Sequence, residues 1–174
     1  MTTARDVKQL IVQTDASGVP VRLEYVRGRT TWEASPDRRH QKVVQRIGRA
    51  IARHGGPNGG GCGCFTLIDE LIQRNDPDRS LTRPAIAVFC EEPPDGDQAL
   101  ESVPAAVIEV LSVGYEEKDL GDVGAPFDIA AGVADVLVAD PRGGQVLHYR
   151  AEQPPPTSQA PVTLDLSCGC RVAL

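Results

Sequence analysis

Residues 83–115 read RPAIAVFCEEPPDGDQALESVPAAVIEVLSVGY. Two short apolar segments, 86–89 and 105–111, flank an acidic loop rich in Pro and Gly. Apolar runs of this length, bounded by turn signals, predict buried β-strands. A single carboxylate, Glu109, interrupts the second run. An unpaired buried carboxylate costs several kcal/mol, so one inside such a strand calls for a partner, commonly a metal ion.

The 174 residues around this stretch suit a single domain that buries its apolar surface without staples. A hydrophobic share of 41% and a charged share of 24% place the chain among globular proteins rather than disordered ones. No apolar run approaches the length of a membrane span and no signal-peptide pattern opens the chain, so a cytoplasmic protein with no membrane partner is expected. The net charge of -6 opposes unspecific binding of nucleic acid by the surface as a whole, though not by a local basic face.

Residues 1–19 are polar around a short apolar patch at 10–12 and read as a flexible N-terminal arm; residues 20–174 form the domain. Residues 21–26 and 30–33 flank a turn at Gly28 and predict a hairpin. Ser35-Pro36-Asp37 then opens a helix, with Ser35 or Asp37 as its cap. Val43, Val44, Ile47 and Ile51 recur at helical spacing as its buried stripe. Arg39, Lys42, Arg46, Arg49 and Arg53 line another face, read either as a solvated surface or as a phosphate-contacting stripe.

The glycine-rich segment 54–61 stops that helix, 65–73 reads as a strand, and 74–78 as a turn. After the central strands comes a charged segment, 116–119, whose Glu116, Glu117 and Asp119 read as solvated charges around Lys118. A short helix at 126–131 ends at Gly132. Strands at 133–139 and 145–150 form a hairpin, 152–161 is a proline-rich loop, and 162–166 is a last strand. The pattern predicts an α/β or α+β domain with a central sheet and few helices.

Four of the five cysteines lie in two Cys-Gly-Cys units. Two readings fit them. Cys62, Cys64, Cys168 and Cys170 form a structural Zn²⁺ site of four thiolates, or they are thiols in glycine-rich turns of a reducing compartment. Cys90, ending a strand, reads as core.

The order of these features resembles the Uma-type family of restriction-endonuclease-like proteins, within the PD-(D/E)XK nuclease superfamily. The matching pieces are Glu24 with Gly28, Arg39-His40-Gln41, Arg83-Pro84 and Val107-Ile108-Glu109-Val110-Leu111-Ser112. Lys118-Asp119-Leu120, Ala131-Gly132-Val133 and Asp140-Pro141 complete the series, and the cysteine pairs resemble a Cys-Gly-Cys-bearing branch. The resemblance implies a single restriction-endonuclease-like α/β domain, a mixed central sheet with flanking helices, and hydrolysis of DNA phosphodiesters with Mg²⁺ or Mn²⁺, ions that prefer oxygen ligands. It implies metal binding by Glu109 and the residue at position 85, assistance by Lys118, and a further ligand role for Glu24. It also matches His40 to a family histidine at the helix start, placing His40 beside the basic stripe as a DNA contact, and it implies a homodimer.

One departure outweighs these matches. The family pattern has Asp after Arg-Pro, and here that residue is Ala85, whose methyl group binds no cation. The chain is therefore expected to be inactive or severely impaired. The intact neighbours Arg83, Pro84 and Ile86 favour a single substitution, whereas Asp128, where relatives tend to carry Tyr, favours drift. The alternative reading is a nuclease-fold module that binds nucleic acid or protein without catalysis and carries structural zinc.

Overall fold

The computed structural model describes residues 9–11, 13, 21–34, 36–54 and 61–174. Most of the expected N-terminal arm lies outside the described residues. Within it, residues 9–11 are helical, and Ile11 packs against Tyr25, Leu71 and Leu81.

The expected hairpin is β1 (Val21–Val26) with β2 (Arg29–Ala34), closed by Arg27 and Gly28. Both turn residues have positive φ, 48° and 79°, as a two-residue turn matched to strand twist requires. Helix α1 (Arg38–Ala50) follows, capped by the Asp37 carboxylate, which accepts the His40 N–H at 2.8 Å. The helix ends sooner than its apolar spacing suggested. Ile51 is extended, and Ala52–Arg53 form β3, so Arg53 is a strand residue rather than the last of a helical stripe.

The segment 65–73 is not one strand. It divides into β4 (Phe65–Ile68) and β5 (Ile72–Gln73), in different sheets, around Asp69 at φ 60°. Next come β6 (Leu81–Thr82), β7 (Ile86–Phe89) and β8 (Ala106–Val110). The charged segment after them is helical: α2 (Glu116–Leu120) leads into α3 (Ala125–Ala130). Gly132, at φ 98°, turns the chain from α3 towards β9 (Asp135–Ala139). The hairpin partner is β10 (Gln145–Tyr149), and the proline-rich loop contains a short edge strand, β11 (Thr157–Gln159). Strands β12 (Thr163–Asp165) and β13 (Cys170–Ala173) complete the chain.

The central sheet has six strands in the order β11-β10-β9-β8-β7-β4. Only β8 and β9 are parallel, and their connection crosses over through α2 and α3. Strands β7 and β9 are buried at every position, which explains their unbroken apolar sequences. Alternation sorts their side chains. Ile86, Val88, Ala106, Ile108, Val110 and Leu137 face α1 and the β12–β13 hairpin. Val107, Val136 and Val138 face Ala125 of α3. Glu109 shares the parity of Val107, so it points to the face covered by α2 and α3. A second sheet, β2-β1-β6-β5, packs beside this face, and a third, β12-β13-β3, ties the residues after α1 to the C-terminal hairpin. The fold is thus a mixed α/β domain with a central mixed sheet and few helices, as the sequence predicted.

A candidate active site around Lys118

The β1–β2 register sets Glu33 opposite Arg22, two residues from Glu24, so the two glutamates share one face of the hairpin. Lys118 of α2 projects into that face. Its Nζ lies 3.1 Å from Glu24 Oε2, 3.3 Å from Asp119 Oδ1 and 3.4 Å from Glu33 Oε2. The other Glu24 oxygen, Oε1, accepts the Arg83 backbone N–H at 2.6 Å. Continuing the β7–β8 register places Ala85 opposite Glu109, and the Ala85 N–H donates to Glu109 Oε2 at 3.0 Å. The four residues expected at the centre, Glu24, Ala85, Glu109 and Lys118, therefore converge on the junction of the two sheets.

Three charged residues that sequence reasoning did not assign to the site also belong to it. Glu33 is half-buried against Lys118. Asp119 is buried rather than solvated, because α2 docks its Lys118-Asp119 pair inward instead of exposing the charged run. Arg74, read as a turn residue, is fully buried and bonds Asp128 Oδ1 at 2.6 Å and Thr82 Oγ1 at 2.8 Å. Hairpin parity would have disclosed Glu33. Nothing in the local sequence distinguishes Asp119 or Arg74 from surface charges.

The electrostatics follow from crowding. Burial, then the negative charge of Asp119, pushes the Glu109 carboxyl well above its ordinary range, with Lys118 pulling the other way. Burial likewise lifts Asp119 to about 7, helped by Glu24 and Glu33 and opposed by Lys118. Burial works against the Lys118 charge, but the combined pull of Glu24, Asp119, Glu109 and Glu33 outweighs it and holds the ammonium well above its usual value. Asp128 is raised by burial against the attraction of Arg74.

A second buried carboxylate lies one strand away and is built differently. Asp135 of β9 accepts bonds from His148 Nε2 at 2.8 Å, Arg150 Nε at 2.7 Å and the Ser167 backbone N–H at 2.7 Å. Burial opposes its charge, but these donors prevail and hold it at about 2. His148, which the sequence left without a role, is part of this network.

Beside Ala85 opens a cavity of about 230 Å³, lined by Arg22, Pro36, His40, Gln41, Asp69 and Ala85 among others. Arg22 pairs with Asp69 across its wall at 2.7 Å. His40 is buried in this wall, so it does not belong to the exposed basic stripe in which it was expected. Its Nδ1 has no hydrogen-bond partner, and burial lowers its pKa, with Glu33 opposing. Arg39, Lys42, Arg46 and Arg49 are exposed on α1, and Arg53 is exposed on β3. A larger cleft of about 550 Å³ lies along the acidic loop 93–101, away from Glu109 and Lys118. Its chemistry is that of Asp95, Asp97 and Glu101, so the smaller cavity beside Ala85 is the better candidate for a substrate.

The residues present do not fit a divalent cation held between positions 85 and 109. Ala85 offers only its backbone, and a lysine ammonium already occupies the space among Glu24, Glu33 and Asp119. Among the described residues, the groups of three potential ligands that do converge are all cysteines.

The mixed sheet thus carries a charged cluster on the side of α2 and the basic helix α1 on its other face. The chain belongs to the Uma2 family, whose model, described as "Putative restriction endonuclease", matches residues 9–171. Its fold is similar to a crystal structure of "a putative nuclease belonging to DUF820" from Anabaena variabilis ATCC 29413. The TM-score is 0.59 at 17% identity, covering 91% of this chain and 90% of the other. No curated protein sequence matches the chain. Among the described residues, no helix is long and apolar enough to cross a membrane.

Proposed function

We propose that this chain has the framework of a divalent-metal-dependent DNA endonuclease of the PD-(D/E)XK type and is disabled at Ala85. The observation that carries this reading is the Ala85–Glu109 pair: strand register brings the two positions together, and only one of them bears a carboxylate. A hydrolytic Mg²⁺ or Mn²⁺ site needs several oxygen ligands from the protein. With Ala85 in place, no cation is held there and no hydrolytic step is assigned to the chain as it stands. The DNA backbone is met by Arg39, Lys42, Arg46, Arg49 and Arg53, and a second copy of the chain serves the opposite strand of a duplex, as symmetric dimers do. A cytoplasmic location belongs to the same reading.

A second reading is favoured by the position of Lys118. An ammonium already paired with Glu24, Glu33 and Asp119 neutralises the acidic cluster without a metal. A site neutralised in this way suits a module that binds nucleic acid and leaves it intact.

The decisive experiment compares this chain with Ala85→Asp in DNA cleavage with Mg²⁺ and with Mn²⁺, adding Ala85→Asp/Glu109→Gln as a control. The disabled-nuclease reading expects cutting by Ala85→Asp alone. Cutting by the unaltered chain, or by the Glu109→Gln control, would sink it. Failure of Ala85→Asp to cut, with retained DNA binding that weakens steeply with salt, would transfer the case to the binding module.

A further inference from the structure

All five cysteines of the chain gather at one place, at the opposite end of β7 from Ala85. Cys62 is bonded to Cys90 and Cys64 to Cys170, while Cys168 is a free thiol. The two bonded pairs touch: Cys62 Sγ lies 3.4 Å from Cys170 Sγ. Cys62, Cys64 and Cys170 have sulfurs within 4.8 Å of one another, and so do Cys62, Cys90 and Cys168. This corrects two expectations. Cys90 is not simply a core residue, and Cys168 stands outside the two bonded pairs.

The backbone is shaped to bring these sulfurs together. The Gly63 N–H donates to the Cys90 carbonyl at 2.7 Å, closing the first Cys-Gly-Cys turn onto the end of β7. A Cβ at position 63 would run into the Phe65 ring and would stand 2.9 Å from the Cys90 carbonyl oxygen, so only glycine fits between Cys62 and Cys64. In the second turn Gly169 adopts φ 93°, and its N–H bonds the Leu166 carbonyl at 3.0 Å, reversing the chain into β13. Cys62 and Cys170 are buried, and Cys64, Cys90 and Cys168 are half-buried. Paired disulfides need only two sulfurs at a time. Cys62, Cys64 and Cys170 form one close trio, and Cys90, bonded to Cys62, can supply the fourth sulfur for a tetrahedral thiophilic ion, whose bonds of about 2.3 Å set neighbouring sulfurs roughly 3.8 Å apart.

We infer that the reduced chain binds a zinc-type divalent cation through Cys62, Cys64, Cys90 and Cys170. From the disulfide form, two equivalents of a dithiol reductant, each oxidised to its own disulfide, supply four electrons and four protons to give four thiols. Binding then displaces those four protons, leaving four thiolates on the ion. The ion joins the loop after α1, the end of β7 and strand β13. Because Cys170 pairs in register with Arg53, this junction also holds that arginine of β3. Cys168 stays outside the coordination sphere. The inference does not depend on the nuclease reading, since it concerns another end of the sheet and its test involves no DNA.

The test uses the full chain, prepared anaerobically with a thiol reductant and then freed of it. Elemental analysis should find one zinc per chain. Replacement by Co²⁺ should give the thiolate charge-transfer and tetrahedral d–d bands of a four-sulfur site. Cys168→Ser should keep the metal, whereas Cys90→Ser should lose it or shift the cobalt spectrum to three sulfurs. A reduced, folded chain that holds neither zinc nor cobalt overturns the proposal. So does an anaerobic preparation whose intact mass corresponds to two disulfides. Retention of the full cobalt spectrum by Cys90→Ser, with loss in Cys168→Ser, overturns the ligand set.

Discussion

Glu109, half-buried, and Asp135, buried, are carboxylates on adjacent parallel strands, yet they have opposite environments. Asp135 is met by an imidazole, a guanidinium and a backbone N–H, and remains ionised to about pH 2. Glu109 receives the Ala85 N–H, and burial, then the charge of Asp119, pushes its carboxyl well above the ordinary range, with Lys118 pulling the other way. Donors that answer a buried carboxylate from neighbouring strands make it a structural pin. A carboxylate whose neighbours are other carboxylates is poised for a ligand, and such crowding marks a candidate site. The contrast separates the scaffold of this protein from its chemistry.

The largest effect should come from breaking the structural half. Asp135→Ala would leave Arg150, His148 and the Ser167 N–H without their shared acceptor. We expect a loss of about 4 kcal/mol, read by urea unfolding, as for other buried ion pairs stripped of one partner. A loss below about 1 kcal/mol would mean that the network is incidental.

Next is Lys118→Met, which removes the cation shared by Glu24, Glu33 and Asp119. The expected cost is about 3 kcal/mol at pH 8. It should be smaller at pH 5, where Asp119, with its pKa of about 7, is protonated and has less need of the ammonium. Equal losses at both pH values would contradict the coupling.

The smallest effect sharpens the comparison through pH. Asp119 is raised from 3.8 to about 7 on folding, so its stabilising contribution is complete below pH 3.8 and disappears as pH rises through 7. Asp135 is lowered from 3.8 to about 2, so its contribution, about 2 kcal/mol, is present above pH 3.8 and disappears as pH falls through 2. Asp119→Asn should therefore flatten the stability profile between pH 4 and 8 and leave the acid limb below pH 4 unchanged. A variant profile parallel to that of the unaltered chain would show that Asp119 does not carry this dependence.

The strands at the centre were legible because they are buried on both faces, which forces unbroken apolar runs such as Ile86–Phe89. Glu109 was legible for the same reason: one charge among such residues has to be explained. The short pieces were not. Strands β3, β5, β6 and β11 have two or three residues each, too few to show a period, and they exist because a partner strand supplies their hydrogen bonds. Asp119 and Arg74 were missed because their burial is decided by how α2 and the segment after β5 dock. His40 carried the opposite signal, appearing in a run of basic residues while its helical position points inward.

The third sheet has a consequence for how the protein is made. Among the described residues, strand β3 pairs with β13 alone, more than a hundred residues further along the chain. On a ribosome, α1 emerges long before β13, the strand that fastens its exit. The basic helix must therefore wait until β13 has been made before its C-terminal side is anchored, and contacts of such long range close slowly. The order of synthesis thus delays the exposed cationic surface from taking its final position until β13 is available to pair with β3.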